Sequence, residues 1–139
     1  FNHESPRRGT NFVTNKVVKE AVKINYGLSD KLLLGNLNAT RDWGHAKDYV
    51  RAMHMILQHD EPDDFVCATG ISNSVGDLVD YVFNALDLDP KKYVDVDERF
   101  WRPDELEHLK GVGLELEYTF ETMLDEMIEY WVGKFGDFA

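Results

Sequence analysis

Apolar residues recur at steps of three and four between residues 11 and 27, which predicts an amphipathic helix that ends near Gly27. The same spacing predicts three later helices, at 45–58, 75–87 and 120–132. Ser74 and Thr119 stand directly before the last two of these helices and are predicted to cap them. The predicted helices therefore occupy much of the chain, and the fold class depends on the segments between them.

Short apolar or alternating runs separate the helices. Strands are predicted at 32–34 and 64–69, with a weaker edge strand at 93–96, and residues 42–44 are predicted to form a turn. Because strands and helices alternate, the sequence predicts an α/β fold. The strands are too few for a complete doubly wound sheet.

Charge and cysteine content exclude several classes of function. The net charge of −11 argues against nucleic acid or an anionic membrane surface as the main partner. No apolar run approaches the length that spans a membrane. Cys67 is the only cysteine, so an internal disulfide is impossible, and its apolar neighbours predict a buried thiol. A soluble protein of a reducing compartment, and thus a cytoplasmic location, is expected.

The first segment with chemical content runs from Asn2 to Gly9. Pro6 and Gly9 predict a turn after a strand, at the sheet edge where ligands bind in α/β proteins. Arg7 and Arg8 in this turn can each make forked contacts to phosphate oxygens. A surface turn with two solvated arginines explains the same residues equally well.

A second segment follows the strand at 32–34. Gly35 permits close approach to the backbone, and Asn36 offers both a donor and an acceptor. Arg41 beside Trp43 suits a flat base with a phosphate. The alternative is a connection in which Asp42 caps the next helix and Trp43 belongs to the core, which leaves Arg41 unexplained.

The third segment contains Arg102, Pro103 and Glu105. Pro103 is well placed in the first turn of a helix, Arg102 can bind a phosphate, and Glu105 can accept hydrogen bonds from a ribose diol. Taken alone, the segment is explained more simply by a capped helix with an exposed arginine.

The sequence contains no arrangement typical of a metal site or a catalytic pair. The scattered histidines lack ligand spacing and are predicted to be surface or capping residues: His45, His54, His59 and His108. No G-x-G-x-x-G loop is found. The residues alone therefore predict a site for a phosphate-rich ligand on an α/β scaffold, without a catalyst.

Together and in order, these segments resemble GDP-mannose 4,6-dehydratases. The segment Asn-His-Glu-Ser-Pro-Arg-Arg-Gly at 2–9 distinguishes this family from related sugar-nucleotide epimerases, which usually have Asn-Val-Tyr-Gly-Pro there. The other matching segments are 12–16, 34–37, 41–50, 64–70 and 102–105.

The resemblance implies an extended short-chain dehydrogenase/reductase, with an N-terminal Rossmann domain for NADP and a smaller domain for GDP-mannose. Residues 1–139 would be its C-terminal half: the last Rossmann strands and helices interleaved with a small α/β substrate-binding domain. In this family hydride leaves C4 of the sugar, water is eliminated across C5 and C6, and hydride returns to C6. The catalytic residues would lie upstream of Phe1, and the segment at 110–115 is shorter than is usual in the family.

The resemblance also implies the site residues. His3 and Arg8 are expected at NADP, with Arg8 near a phosphate or a neighbouring subunit. Arg41 and Arg102 are expected at the diphosphate, and Glu105 at the ribose. The remaining expected GDP-mannose contacts are Asn2, Val13, Lys16, Gly35 and Asn36.

The family forms homodimers or homotetramers, and the sequence does not choose between them. Two other functions stay open. One is a related GDP-sugar reductase or epimerase. The other is a nucleotide-sugar binding module without catalysis, which would apply if the natural chain begins at Phe1.

Overall fold

The computed structural model describes residues 1–101 and 115–137. Within these ranges the helices are α1 (Val13–Asn25), α2 (Ala46–Leu57), α3 (Val75–Ala85), the short α4 (Pro90–Tyr93) and α5 (Phe120–Gly136), with a 3-10 turn at Glu98–Phe100. All four long helices predicted from the apolar spacing are present, and α5 extends further than predicted.

Local sequence explains where the helices begin and end. Gly27 has a φ of +68°, the N–H of Leu28 donates to the carbonyl of Lys23, and this closes α1 as predicted. Ser74 and Asp77 bond each other's backbone N–H groups in a capping box at the start of α3. Thr119 accepts from the N–H of Thr122 and caps α5, so both predicted caps are confirmed.

In the described part of the chain the strands are short and form three separate pairs. They are β1 (Asn2–Glu4), β2 (Leu32–Leu34), β3 (Thr40–Arg41), β4 (Trp43–His45), β5 (Asn73–Ser74) and β6 (Val94–Val96). β1 pairs with β4 and β2 pairs with β6, both in parallel, whereas β3 and β5 are antiparallel. The mixed arrangement confirms the predicted α/β class.

The core lies where α1, α3 and α5 meet. Val17, Val18 and Ala21 of α1 are fully buried against Leu78 and Val82 of α3 and the buried face of α5. On α5 that face consists of Met123, Leu124 and Met127, as its spacing predicts. The helices hold β2 and the start of α1 in fixed positions, and these two elements form one side of the cleft described below.

Two predictions about the strands were wrong. Residues 64–69 were expected to form a strand, but only Ala68 makes a bridge, and Phe65 and Val66 are exposed. An apolar run becomes a strand only if its backbone finds a partner, and within the described ranges this run has almost none. Residues 42–44 were expected to form a turn, but Trp43 and Gly44 belong to β4.

Three smaller expectations also need correction. Tyr93 ends the short helix α4, and the strand begins at Val94. Cys67 is only partly buried. Asp42 does not cap α2, because His45 does so by accepting the N–H of Lys47.

Asp42 instead clamps the chain at Thr69 and Gly70. One carboxylate oxygen accepts from the Thr69 N–H at 3.0 Å and from the Thr69 hydroxyl at 2.8 Å. The other accepts from the Gly70 N–H at 2.8 Å, and the Asp42 side chain is fully buried. An ionised carboxylate only accepts hydrogen bonds, and all three groups that face Asp42 are donors.

Replacing Asp42 by Asn should lower the free energy of unfolding by about 1–3 kcal/mol, because the amide nitrogen would face a donor and leave it unsatisfied in the interior. Chemical denaturation measures this loss. The same change at exposed Asp64 should cost less than about 0.5 kcal/mol. Equal effects at the two positions would show that the Asp42 clamp contributes nothing.

Candidate functional site

A cleft of about 340 Å³ opens between β1, the start of α1, the end of β2 and the 3-10 turn. Seven of the residues predicted for ligand contact line it: Asn2, Arg8, Val13, Lys16, Gly35, Asn36 and Arg41. The structure thus brings together residues from four different segments of the chain. Arg102 and Glu105, also predicted, lie outside the described residues.

His3 does not line the cleft. Successive residues of a strand point to opposite faces, so Asn2 and Glu4 face the cleft and His3 faces away. The His3 ring stacks on Tyr49 with 4.1 Å between centroids, and its Nδ1 lies 2.7 Å from the carbonyl oxygen of Phe1. His3 and the substrate residues are therefore on different sides of β1.

Arg41 and Trp43 both border the cleft, but they differ in burial. Arg41 is half-buried at the cleft and donates from Nη1 to the carbonyl of Thr40 at 2.7 Å. Trp43 is 4% exposed and packs in the core against Phe120. The idea that Trp43 offers a flat face to a base is therefore wrong, and its alternative as a core residue is confirmed.

Glu4 is a buried carboxylate on the cleft wall. It accepts a hydrogen bond of 2.5 Å from the Thr14 hydroxyl, and its Oε2 lies 3.4 Å from Arg8 Nε. Burial raises the pKa of Glu4 above its usual value near 4.5, while Thr14 and the charge of Arg8 work against that rise. The Arg8 guanidinium also lies over the Phe12 ring, 3.5 Å from its centroid. Arg8 is thus held between a carboxylate and an aromatic face.

Lys16 and Phe100 form the opposite wall. Lys16 Nζ donates to the Leu33 carbonyl at 2.7 Å and lies 4.5 Å from the centre of the Phe100 ring. A Cβ added to Gly35 would come within 2.6 Å of the Phe100 carbonyl oxygen. The close approach that Gly35 permits in this structure is therefore that of the Phe100 backbone.

A second polar cluster lies at the end of β4. The Lys47 N–H donates to His45 Nδ1 at 3.0 Å, and His45 Nε2 lies 2.5 Å from Glu126 Oε2. Burial alone would raise the pKa of Glu126, but its bonds to His45 and Lys47 bring that pKa below the usual value. His45 also stacks on Tyr118. It is a buried capping residue that ties β4 to α5, which confirms its predicted capping role but not a surface position.

Neither a metal centre nor a membrane span is found in the described parts of the chain. Residues 1–101 and 115–137 contain no group of three or more histidine, cysteine or acidic side chains that could hold a metal ion. No helix in the same ranges is both long and apolar enough to cross a bilayer.

Glu4, Phe12 and Phe100 are among the cleft residues that were missed in the sequence. Glu4 lies inside the 2–9 segment, but an isolated glutamate gives no sign that it will be buried. Phe12 and Phe100 look like core residues in sequence, yet they are 43% and 49% exposed. Only the folded positions of α1 and β6 bring these rings to the cleft.

Comparison with solved structures defines the class of fold. The chain superimposes on RMD from Pseudomonas aeruginosa, solved in complex with NADPH, with a TM-score of 0.86 at 19% identity, over 96% of this chain and 47% of that one. The described residues therefore share the α/β fold of the matching part of that structure.

Comparison of sequences defines the family. The model of the family described as GDP-mannose 4,6 dehydratase matches residues 1–130. GDP-mannose 4,6 dehydratase 2 of Arabidopsis thaliana is 44% identical, over 93% of this chain and 37% of its own length. The Homo sapiens GDP-mannose 4,6 dehydratase is 46% identical, over 80% of this chain and 34% of its own length. The chain belongs to the GDP-mannose 4,6-dehydratase family, and it spans about a third of these two relatives.

Replacing Thr14 by Val should raise the pKa of Glu4 further, because it removes the hydrogen bond that stabilises the ionised carboxylate. Between pH 4.5 and the folded-state pKa, the folded protein keeps a proton that the unfolded chain has lost. Rising pH therefore lowers the Glu4 contribution to stability in that window, and the window should widen in the variant. An NMR titration of the Glu4 side-chain carboxyl carbon measures both pKa values.

Exposed Thr10 offers the matched control for this titration. The change Thr10→Val should leave the pKa of Glu4 where it is in the parent protein. A Glu4 pKa that is unchanged or lower in Thr14→Val would contradict the role assigned to the hydrogen bond.

Proposed function

We propose that this chain provides the GDP-sugar cleft of a GDP-mannose 4,6-dehydratase, which converts GDP-D-mannose to GDP-4-dehydro-6-deoxy-D-mannose. One observation carries the proposal: six residues predicted for GDP-mannose line a single cleft, together with Arg8, which was predicted for NADP. Membership of the family supports the choice of substrate. The catalytic tyrosine, lysine, threonine and glutamate belong, in this proposal, to the part of the enzyme that precedes Phe1.

The charges of the cleft suit a nucleoside diphosphate. Arg8, Lys16 and Arg41 line it in a chain whose net charge is −11. Cations gathered at one place in an otherwise acidic protein attract an anionic ligand to that place, because acid elsewhere repels it. Arginine suits the diphosphate because its forked donors match phosphate oxygens and keep their charge. Asn2, at the strand end, adds a side-chain donor and acceptor.

The proposed enzyme uses NADP, which would accept the hydride from the sugar and later return it. Arg8 fits a phosphate group, because its Nε–H is buried and has no hydrogen-bond partner within the described ranges, although Glu4 lies 3.4 Å away. His3 would serve the nicotinamide end from the other face of β1, where it is held by Tyr49. The proposal includes a homodimeric or homotetrameric enzyme in the cytoplasm.

The experiment is an assay of the complete gene product with GDP-mannose, with the product identified by NMR. We expect a 4-keto-6-deoxy sugar, formed by loss of one water with no net consumption of added NADPH. A product that is reduced at the expense of NADPH, or epimerised without loss of water, would favour the reductase or epimerase alternative. Absence of any turnover in a protein that binds GDP-mannose would favour a binding module.

In the same assay, Arg41→Ala should raise KM for GDP-mannose about 30-fold or more, since a lost charged contact in a desolvated site costs roughly 2–5 kcal/mol. Arg99→Ala is the matched control, because the Arg99 side chain is 81% exposed, pairs with Asp97 and does not line the cleft. Equal KM values for the Arg41 variant and the parent would remove Arg41 from the substrate site.

A further inference from the structure

Phe100 has no role in the reaction proposed above, yet its ring lies at the boundary of two concave surfaces. It is 49% exposed, ends the 3-10 turn after β6, and borders the cleft. It also borders a second groove, lined among others by Lys19 and Lys31, so its ring divides the two concave surfaces. The exposed half of a large aromatic ring leaves apolar surface in contact with water, which is unfavourable until a ligand or another group covers it.

Three contacts fix the position of this residue. The Asp97 N–H donates to the Leu34 carbonyl at 2.8 Å and continues the β2–β6 pairing into the turn. The Phe100 backbone lies so close to Gly35 that a Cβ there would be 2.6 Å from its carbonyl oxygen. The Lys16 ammonium lies 4.5 Å from the ring centre while it donates to Leu33. The ring is therefore held in place before any ligand arrives.

The other aromatic residues on the cleft are less suited to receive a flat ligand. Trp43 is buried in the core. The Phe12 ring carries the Arg8 guanidinium on one face at 3.5 Å, and its edge is crowded by Gly9, where an added Cβ would lie 3.3 Å from a ring carbon. Among the ring contacts of the described residues, Phe100 has only one, with the Lys16 ammonium, which lies 4.5 Å from the ring centre. An aromatic ring of this kind stacks on any nucleobase, since every base has a π face.

We propose that Phe100 is the platform on which the base of a bound nucleoside diphosphate stacks, and that Lys16 is a positioning residue that holds the ring. The inference rests on the proposed function in one respect, namely that the cleft binds a nucleotide sugar. It does not require that the base be guanine. In this arrangement the arginine side of the cleft binds the diphosphate, and the Phe100 side binds the base.

Isothermal titration of the complete gene product with GDP and with inorganic pyrophosphate separates the two parts of the ligand. Phe100→Ala should weaken GDP binding about 5- to 150-fold, the range typical of a lost base–aromatic stack, and leave pyrophosphate binding unchanged. Phe100→Trp should bind GDP as the parent does, because it keeps a π face. An Ala variant that binds GDP like the parent, or loses GDP and pyrophosphate affinity equally, would overturn the proposal.

Lys16→Met tests the positioning role, because methionine keeps the length of the side chain without the charge. It should weaken GDP binding more than pyrophosphate binding, and its effect on GDP should shrink to its effect on pyrophosphate when Phe100 is already Ala. Lys16→Arg, which keeps a cation, should restore GDP affinity. A loss of pyrophosphate affinity in Lys16→Met as large as the loss of GDP affinity would show that Lys16 acts on the phosphates alone, and would contradict the positioning role.

Phe65→Ala is the matched control, since Phe65 is 42% exposed and does not line the cleft. Its affinities for GDP and pyrophosphate should equal those of the parent. Titration with UDP separates failure of this inference from failure of the proposed function. If the parent binds UDP and not GDP, the proposed substrate is wrong, and the comparison of Phe100→Ala with the parent is then made with UDP.

Discussion

The parallel pairing of β1 with β4 is the interaction on which the site depends. It places Asn2 opposite Trp43 and Glu4 opposite His45, and so joins two segments that are far apart in sequence. Its register also decides which side chains face the cleft. A shift of one residue would turn Asn2 and Glu4 away and bring His3 in. The Asp42 clamp on Thr69 and Gly70 holds the chain directly before β4, which protects that register.

The cationic side chains that line the cleft already contact neighbouring groups of the protein. Arg8 lies between Glu4 and Phe12, and Lys16 between the Leu33 carbonyl and Phe100. Long flexible side chains lose conformational entropy when a ligand immobilises them. The side chains of Arg8 and Lys16 are already ordered in the folded protein. Their conformational entropy is therefore lost on folding, and part of this cost does not recur when an anion binds. The buried Glu4 carboxylate contributes to this order at its own cost in desolvation.

The sequence predicted the helices well because their signals are local. Apolar spacing, the capping residues Ser74 and Thr119, and Gly27 all act within a few residues of one another. The strands were harder, since a strand needs a partner that can lie anywhere in the chain. The 64–69 run shows this, with apolar side chains and almost no pairing within the described ranges.

The same contrast applies to the site. Family resemblance gave residues that the structure gathers around one cleft, although their individual roles stay predictions. Composition and spacing could not reveal that Trp43 is buried while Phe100 is half exposed, because both are large aromatic residues that directly follow a charged residue. Gly35 illustrates the difference most clearly: its lack of a side chain was predicted to admit a ligand, and in the structure it accommodates the backbone of Phe100.

The central claim is that residues of β1, α1, the end of β2 and the 3-10 turn form one nucleotide-binding cleft. A crystal structure of the complete gene product with bound GDP tests it most directly. We expect a diphosphate within hydrogen-bonding distance of Arg41 and a base stacked on the Phe100 ring. GDP bound outside this cleft, with Arg41 and Phe100 both in contact with solvent alone, would contradict it.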